Sequence, residues 1–303
     1  MNRRAIDRLV LTGTLTAGLL STGSWTAAQT SPSPADYVAQ RAERAQGLTT
    51  PFGWFSLIAL DWLKPGVTTV GSAKENSVIL PQAPAHLMTL DQVDGRVLPT
   101  GMAPGVTLHG QAVALHQPLG DDEDDAAALS AGTMRFWVID RGGKRYLRVK
   151  DSNAPALKHF HGLRWYEPAA RYRVEARWVP FAAPHTLRFL NQLGQVSDVE
   201  EPGQAEFTLD GKRYTLTPLS ATDKGLWFVF RDLTSARETD RGGRFLYTDA
   251  PSHGVNSPGT VTLDFNDAVN PPCAYSPFAT CPLAAVENRL PVAVPAGEKR
   301  YEE

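Results

Sequence analysis

Of the 303 residues, only two are cysteine, so a scaffold built on several disulfides is excluded. Basic residues number 30 against 32 acidic ones, the net charge is −2, and no basic run stands out. Nucleic-acid binding needs a concentrated cationic face, so nucleic acid is excluded as a partner. Past the N-terminus, no apolar run reaches the roughly 20 residues of a spanning helix. Gly-x-Ser-x-Gly, a Ser-x-x-Lys opening a helix, a Walker loop and a dinucleotide fingerprint are all missing. No cofactor is expected. No metal is expected either: Cys273 and Cys281 stand farther apart than a zinc pair, and His159 and His161 have no third ligand at a defensible spacing. The acidic run from Asp121 lacks the turn-forming glycine of a calcium loop and reads as a solvated loop.

What is present starts with an export signal. Arg3 and Arg4 precede an apolar centre, Leu9 to Leu20, and small residues Thr26 to Ala28 offer cleavage before Gln29. Residues 1–28 are therefore expected to be removed. The mature protein is expected to be secreted or periplasmic, a cell-envelope protein that does not span the membrane. Residues 29–50 read as a linker and short helix, with Ala35, Val38, Ala39 and Ala42 at helical spacing and Gly47 as a stop.

After residue 50 the runs are short, β-rich and punctuated by 23 prolines and 25 glycines. The expectation is an all-β fold of two packed β domains, 51–150 and 151–303. Residues 134–149 predict a hairpin turning at Gly142–Gly143, and residues 205–219 a second one turning at Asp210–Gly211. The stretch Val106 to Gln117 alternates as one strand. "GLWFVFRD", "GRFLYTD" and "GTVTLDFN" are three more, each opened by glycine.

Three segments carry a family resemblance: "FRDLTSARETDRGGRFLY", "LDFNDAVNPPCAYSPFATCPL" and "ENRLPVAVPAGEKRY", with "GWFSLIALDWLKPGVTTVGS" upstream. With these the chain resembles a bacterial family known as domain of unknown function 1684. The likeness implies that residues 264–290 belong to the folded domain, and it implies no activity. Gly71-Ser72, Asn76 and Val78-Ile79-Leu80 resemble the forkhead-associated β-sandwich, which implies such a scaffold for the first half. Ala83 and Pro84, ahead of His86, stand where that family's phosphate-binding Ser and Arg would be. Phosphothreonine recognition needs those contacts and is not expected.

Residues 264–290 are the densest polar stretch, interrupted by Pro271, Pro272, Pro277 and Pro282. Cys273 and Cys281, an even count in an exported chain, are expected to form a disulfide; a reactive thiol and half a metal site are the alternatives. Asp264 with Asn266, and Arg244 with Tyr247, are read as sharing strand faces. The prolines end the ladder and carry Asn270 over the sheet end. A polar site beside this loop follows, with Arg244, Tyr247, Asn266, Asn270 and Asn288 as ligand-binding residues. Three functions remain open at this level. One is a module binding an unknown small molecule or envelope partner. Another is a hydrolase with Asp264 or Glu287 as acid/base and Arg244 holding an anion. The last is a purely structural role, with an Arg–Asp pair locking loop to sheet.

Overall fold

The computed structural model describes residues 32–120 and 127–302. The expected signal segment and the run from Asp121 to Asp125 lie outside the described residues. From Ser33 onward the chain packs as one compact unit.

Helix α1 spans Pro34–Leu48. Ser33 and Asp36 cap it reciprocally, and Pro34 supplies a first-turn residue that needs no N–H partner. Its buried face is not the alanine stripe that the sequence suggested. Tyr37 and Leu48 are buried, Arg41 and Arg44 half-buried, and Val38 is 66% exposed. Positions 37, 41, 44 and 48 form an equally helical stripe, and it docks because its polar heads find partners: Arg41 donates to Tyr166 O at 2.9 Å, and those of Tyr37 and Arg44 are described below.

The fold is all-β. One antiparallel sheet runs in the order β1 (Leu57–Trp62), β10 (Lys144–Asp151), β9 (Met134–Arg141), β8 (Leu129–Ala131), β6 (Thr107–Leu108), β7 (Gln111–Ala112). A second runs β3 (Val78–Ile79), β2 (Gly66–Gly71), β4 (Met88–Val93), β5 (Arg96–Met102), with β2 and β3 parallel. Val70, Leu90 and Val97 from the second meet Phe136, Val138, Leu147 and Val149 from the first in one buried core. The single strand expected over 106–117 is instead a two-residue hairpin, β6 to β7, because His109 and Gly110 both adopt positive φ, 50° and 74°. Near the second sheet's edge, the Asn76 side chain donates to Ala73 O (3.0 Å) and Ala85 O (2.7 Å). Ala83 is buried in the core, and His86 is exposed beside Glu75 at 3.5 Å.

The second half has a sheet in the order β13 (Lys212–Leu216), β12 (Val196–Leu209), β11 (Arg173–Leu190), β17 (Gly259–Asp264). A three-stranded sheet, β14 (Ser220–Thr222), β15 (Gly225–Phe230), β16 (Arg244–Thr248), lies beside it. Trp178, Phe207, Phe228, Phe230, Leu246 and Phe265 build its core. The β12–β13 hairpin turns at Asp210 and Gly211, with φ of 48° and 76°, the primed geometry that matches strand twist. The β9–β10 hairpin turns the same way at Gly142–Gly143.

Two hairpins are buried on both faces, and this positions the site. On β9–β10, Trp137, Ile139 and Tyr146 form a cluster opposite to the Phe136 core. On β15–β16, Trp227, Val229 and Phe245 face a cluster with Leu57, Cys281 and Ala284, opposite to Phe228 and Leu246. Those second faces and the proline loop enclose the space between them.

Candidate functional site

The loop begins where β17 ends. Asp264 caps a short helical turn, Phe265–Asp267, and Val269 then bridges to Phe245 of β16 through paired backbone bonds of 2.8 and 2.9 Å. Pro271 and Pro272 follow and offer no N–H to extend this pairing. The chain therefore leaves the sheet through a second turn, Pro272–Ala274.

The expected site residues divide among several places. Asp264 accepts from Tyr37 Oη (2.7 Å), Arg173 Nη1 (2.9 Å) and Asn266 Nδ2 (2.9 Å). Asn266 is clamped in turn to both backbone groups of Ala169. Arg244 is fully buried and pairs with Asp232 at 3.3 Å, while it also donates to the carbonyls of Val294 (2.9 Å) and Ala296. The Arg–Asp lock thus uses Asp232, not Asp264, and Glu287 is elsewhere: it is exposed and meets His185 Nε2 at 3.1 Å. Asn288 is a buried staple that accepts from Thr217 N (2.9 Å) and donates to Thr217 O (2.7 Å) and Val229 O (3.1 Å).

Arg244 and Tyr247 do not share a face, which corrects the sequence reading. A separation of three on a strand places side chains on opposite sides. Arg244 goes with Leu246 into the core, within 5.1 Å of the Phe230 ring. Tyr247 goes with Phe245 to the other face, 58% exposed and stacked on Trp227 at 6.1 Å. The two cysteines do come together. Cys273 N–H donates to Cys281 Sγ at 3.1 Å, yet both are free thiols and not the expected disulfide.

The residues that the sequence reading missed sit on α1 and near the C-terminus. Glu298 is fully buried and accepts from Arg44 Nε (2.9 Å), Asn270 N (3.2 Å), Asn270 Nδ2 (3.0 Å) and the Tyr275 hydroxyl. Arg44 also donates to Asn270 O at 2.7 Å. Burial, reinforced by Glu298, holds the Tyr275 hydroxyl well above the usual tyrosine range. Gly297 makes this approach feasible: its φ is +78°, and a Cβ there would stand 2.4 Å from Ala268 O. The helical spacing of Tyr37, Arg41 and Arg44 was the one available signal, and it marked a polar stripe only.

Above this network lies a cavity of about 300 Å³. Arg44, Arg141 and Arg148 line it together with Trp54, Trp227, Phe245 and Tyr247, and among the described residues no carboxylate does. Val269, Asn270, Pro272, Thr280, Cys281 and Pro282 complete the wall. Arg141 Nε is held by Thr280 Oγ1 at 2.8 Å, and the Arg148 guanidinium lies 5.8 Å from the Trp54 ring. Two lining residues carry buried polar atoms without a hydrogen-bond partner, Trp227 Nε1 and Asn270 Oδ1. The Asn270 amide cannot simply turn over, because Nδ2 already serves Glu298 and Lys299 O (2.7 Å). Although Tyr247 is exposed over much of its surface, desolvation against the cavity wall pushes its hydroxyl up, and Arg44 opposes this.

A larger cavity, about 880 Å³, lies along the outer face of β11–β13, where Arg177 pairs with Glu206 and charges of both signs balance. Among the described residues, no group of three or more His, Cys, Asp or Glu side chains is placed to hold a metal ion. None of the described helices is long and apolar enough to cross a membrane.

Fold and site define an all-β protein with a cavity lined by arginines and aromatic rings. Residues 158–299 match the family described as "Protein of unknown function (DUF1684)", and this part of the chain belongs to that family. No curated protein matches the chain. Among solved structures it is similar to the uncharacterized protein from gene locus rrnAC0354 of Haloarcula marismortui, determined by solution NMR. The identity is 31% over 47% of this chain and 78% of that one, with a TM-score of 0.39.

Proposed function

We propose that this protein is a small-molecule-binding module of the cell envelope, and that the cavity beside the 264–290 loop takes an organic anion with a flat apolar part. The observation that carries this reading is the lining: three arginines and four aromatic rings around about 300 Å³, with no carboxylate among the described lining residues. Guanidinium groups between low-dielectric walls favour an anion, and the rings favour a planar apolar body. Trp227 Nε1 and Asn270 Oδ1, buried atoms of two of the lining residues, have no hydrogen-bond partner among the described residues. Tyr247 and Asn270 remain ligand residues in this reading. Arg244, Asn266 and Asn288 hold the wall from behind through the contacts described above. The acid/base alternative has less support, since Asp264 already serves three donors and Glu287 is exposed against His185.

The test uses phenyl phosphate as the probe, followed at the Trp227 indole N–H by NMR, with Trp227→Phe assigning the signal. A probe of so few atoms is expected to bind at about millimolar Kd. The signal should move with phenyl phosphate and much less with phenol or inorganic phosphate, and Arg148→Met should weaken binding. An indole N–H indifferent to all three compounds would refute the pocket reading. The envelope assignment rests on the Arg-led apolar N-terminus. N-terminal sequencing of protein from its native host should begin at or near Gln29, and an intact Met1 in a cytosolic fraction would overturn it.

A further inference from the structure

We infer that Cys273 and Cys281 form a redox latch on this cavity, open as the dithiol and closed as a disulfide that fixes the cavity wall. The consequence for binding rests on the pocket reading above; the sulfur chemistry does not. The two thiols stand at either end of a seven-residue loop, and Cys273 N–H already donates to Cys281 Sγ at 3.1 Å. Gln192 Nε2 holds Cys273 Sγ at 3.2 Å. Cys281 lines the cavity itself, with Pro272, Thr280 and Pro282 beside it. Thr280 grips Arg141, one of the three cavity arginines, at 2.8 Å. The state of the sulfur pair therefore bears on how firmly that guanidinium is placed.

The two cysteines differ in a way that orders the chemistry. Cys273 is partly exposed and Cys281 is 5% exposed. The neighbouring Cys273 thiol, followed by burial, pushes the Cys281 thiol well above the usual range, and the Cys273 N–H opposes this. Cys273 is thus the attacking sulfur and Cys281 the resolving one. The oxidant is a disulfide of the thiol–disulfide exchange class. Cys273 loses its proton to solvent and attacks one sulfur of the oxidant. A mixed disulfide forms, and the other half departs as a thiolate. Cys281 then gives up its proton and attacks Cys273 Sγ, which expels the second half. The two cysteines lose two electrons and two protons, and the oxidant becomes two thiols.

The full chain is treated with oxidised glutathione and compared with a dithiothreitol-reduced sample, with intact mass and phenyl phosphate titration measured on both. The oxidised protein should have lost two hydrogens and carry no glutathione. It should bind the probe about two- to tenfold more tightly, the scale of ordering one rotamer-rich side chain in advance. Cys273→Ala should bind like the reduced protein and ignore the oxidant, while Cys281→Ala should retain glutathione on Cys273. Failure to form the internal disulfide would overturn the latch. So would a disulfide that leaves probe affinity unchanged, and in that outcome the pocket reading survives. No movement of the Trp227 indole signal in either redox state would remove the pocket reading and the latch with it.

Discussion

Arg44 Nε and Glu298 Oε2 meet at 2.9 Å although 254 residues separate them in the chain. This contact ties the N-terminal helix to the last structured segment and forms the floor beneath the cavity. A buried carboxylate of this kind is stable only because donors surround it, and Arg44 is the charged one among them.

Replacing Arg44 with methionine should therefore cost on the order of 3 kcal/mol, because Glu298 keeps its charge without its cation. Glu298→Gln in the same chain should recover part of the loss. Urea unfolding of the two single variants and the double variant measures this. Strictly additive losses would show that the two side chains do not depend on each other.

Arg244 should behave as a structural clamp and not as a ligand residue. It is fully buried and bonded to Asp232 and two carbonyls. Arg244→Met should destabilise by about 3–5 kcal/mol. A variant of near-normal stability that had lost phenyl phosphate binding would reverse the assignment.

Glu201 gives the fold a pH dependence with a defined sign. It is 4% exposed on β12, and desolvation pushes its carboxyl up from 4.5 to about 7. The folded state thus holds this proton more tightly than the unfolded chain does, so stability is lost as pH rises from about 4.5 to 7. Glu201→Gln should match the wild type near the bottom of this window and exceed it by about 1–2 kcal/mol at the top. A constant difference between the two proteins across the window would refute the shift.

Ala236 offers a stabilising substitution. Its φ is +72° in the exposed turn between Thr234 and Thr239, a region disfavoured for any residue with a Cβ. Ala236→Gly should raise the unfolding free energy by about 0.5–1 kcal/mol, the relieved strain outweighing the added freedom of the unfolded chain. A lower melting temperature for the variant would contradict this.

Whatever depends on near neighbours was legible in the amino-acid order. The all-β class, the Gly142–Gly143 and Asp210–Gly211 hairpins and the strands opened by Gly225, Gly243 and Gly259 follow from turn chemistry and short β-rich runs. The exit from the sheet at Pro271 follows from a missing N–H. Each signal is carried by a few adjacent residues. Tertiary structure alone decided which polar groups meet. The sequence reading set Asp264 against Arg244, but the antiparallel register places Arg173 directly opposite. Arg244 found Asp232, and α1 turned its arginine stripe inward, not its alanines. Buried charges must be paired, but the pairing rule names no partner. Only the three-dimensional arrangement of segments up to 254 residues apart supplies one, and the cavity exists only where those segments meet.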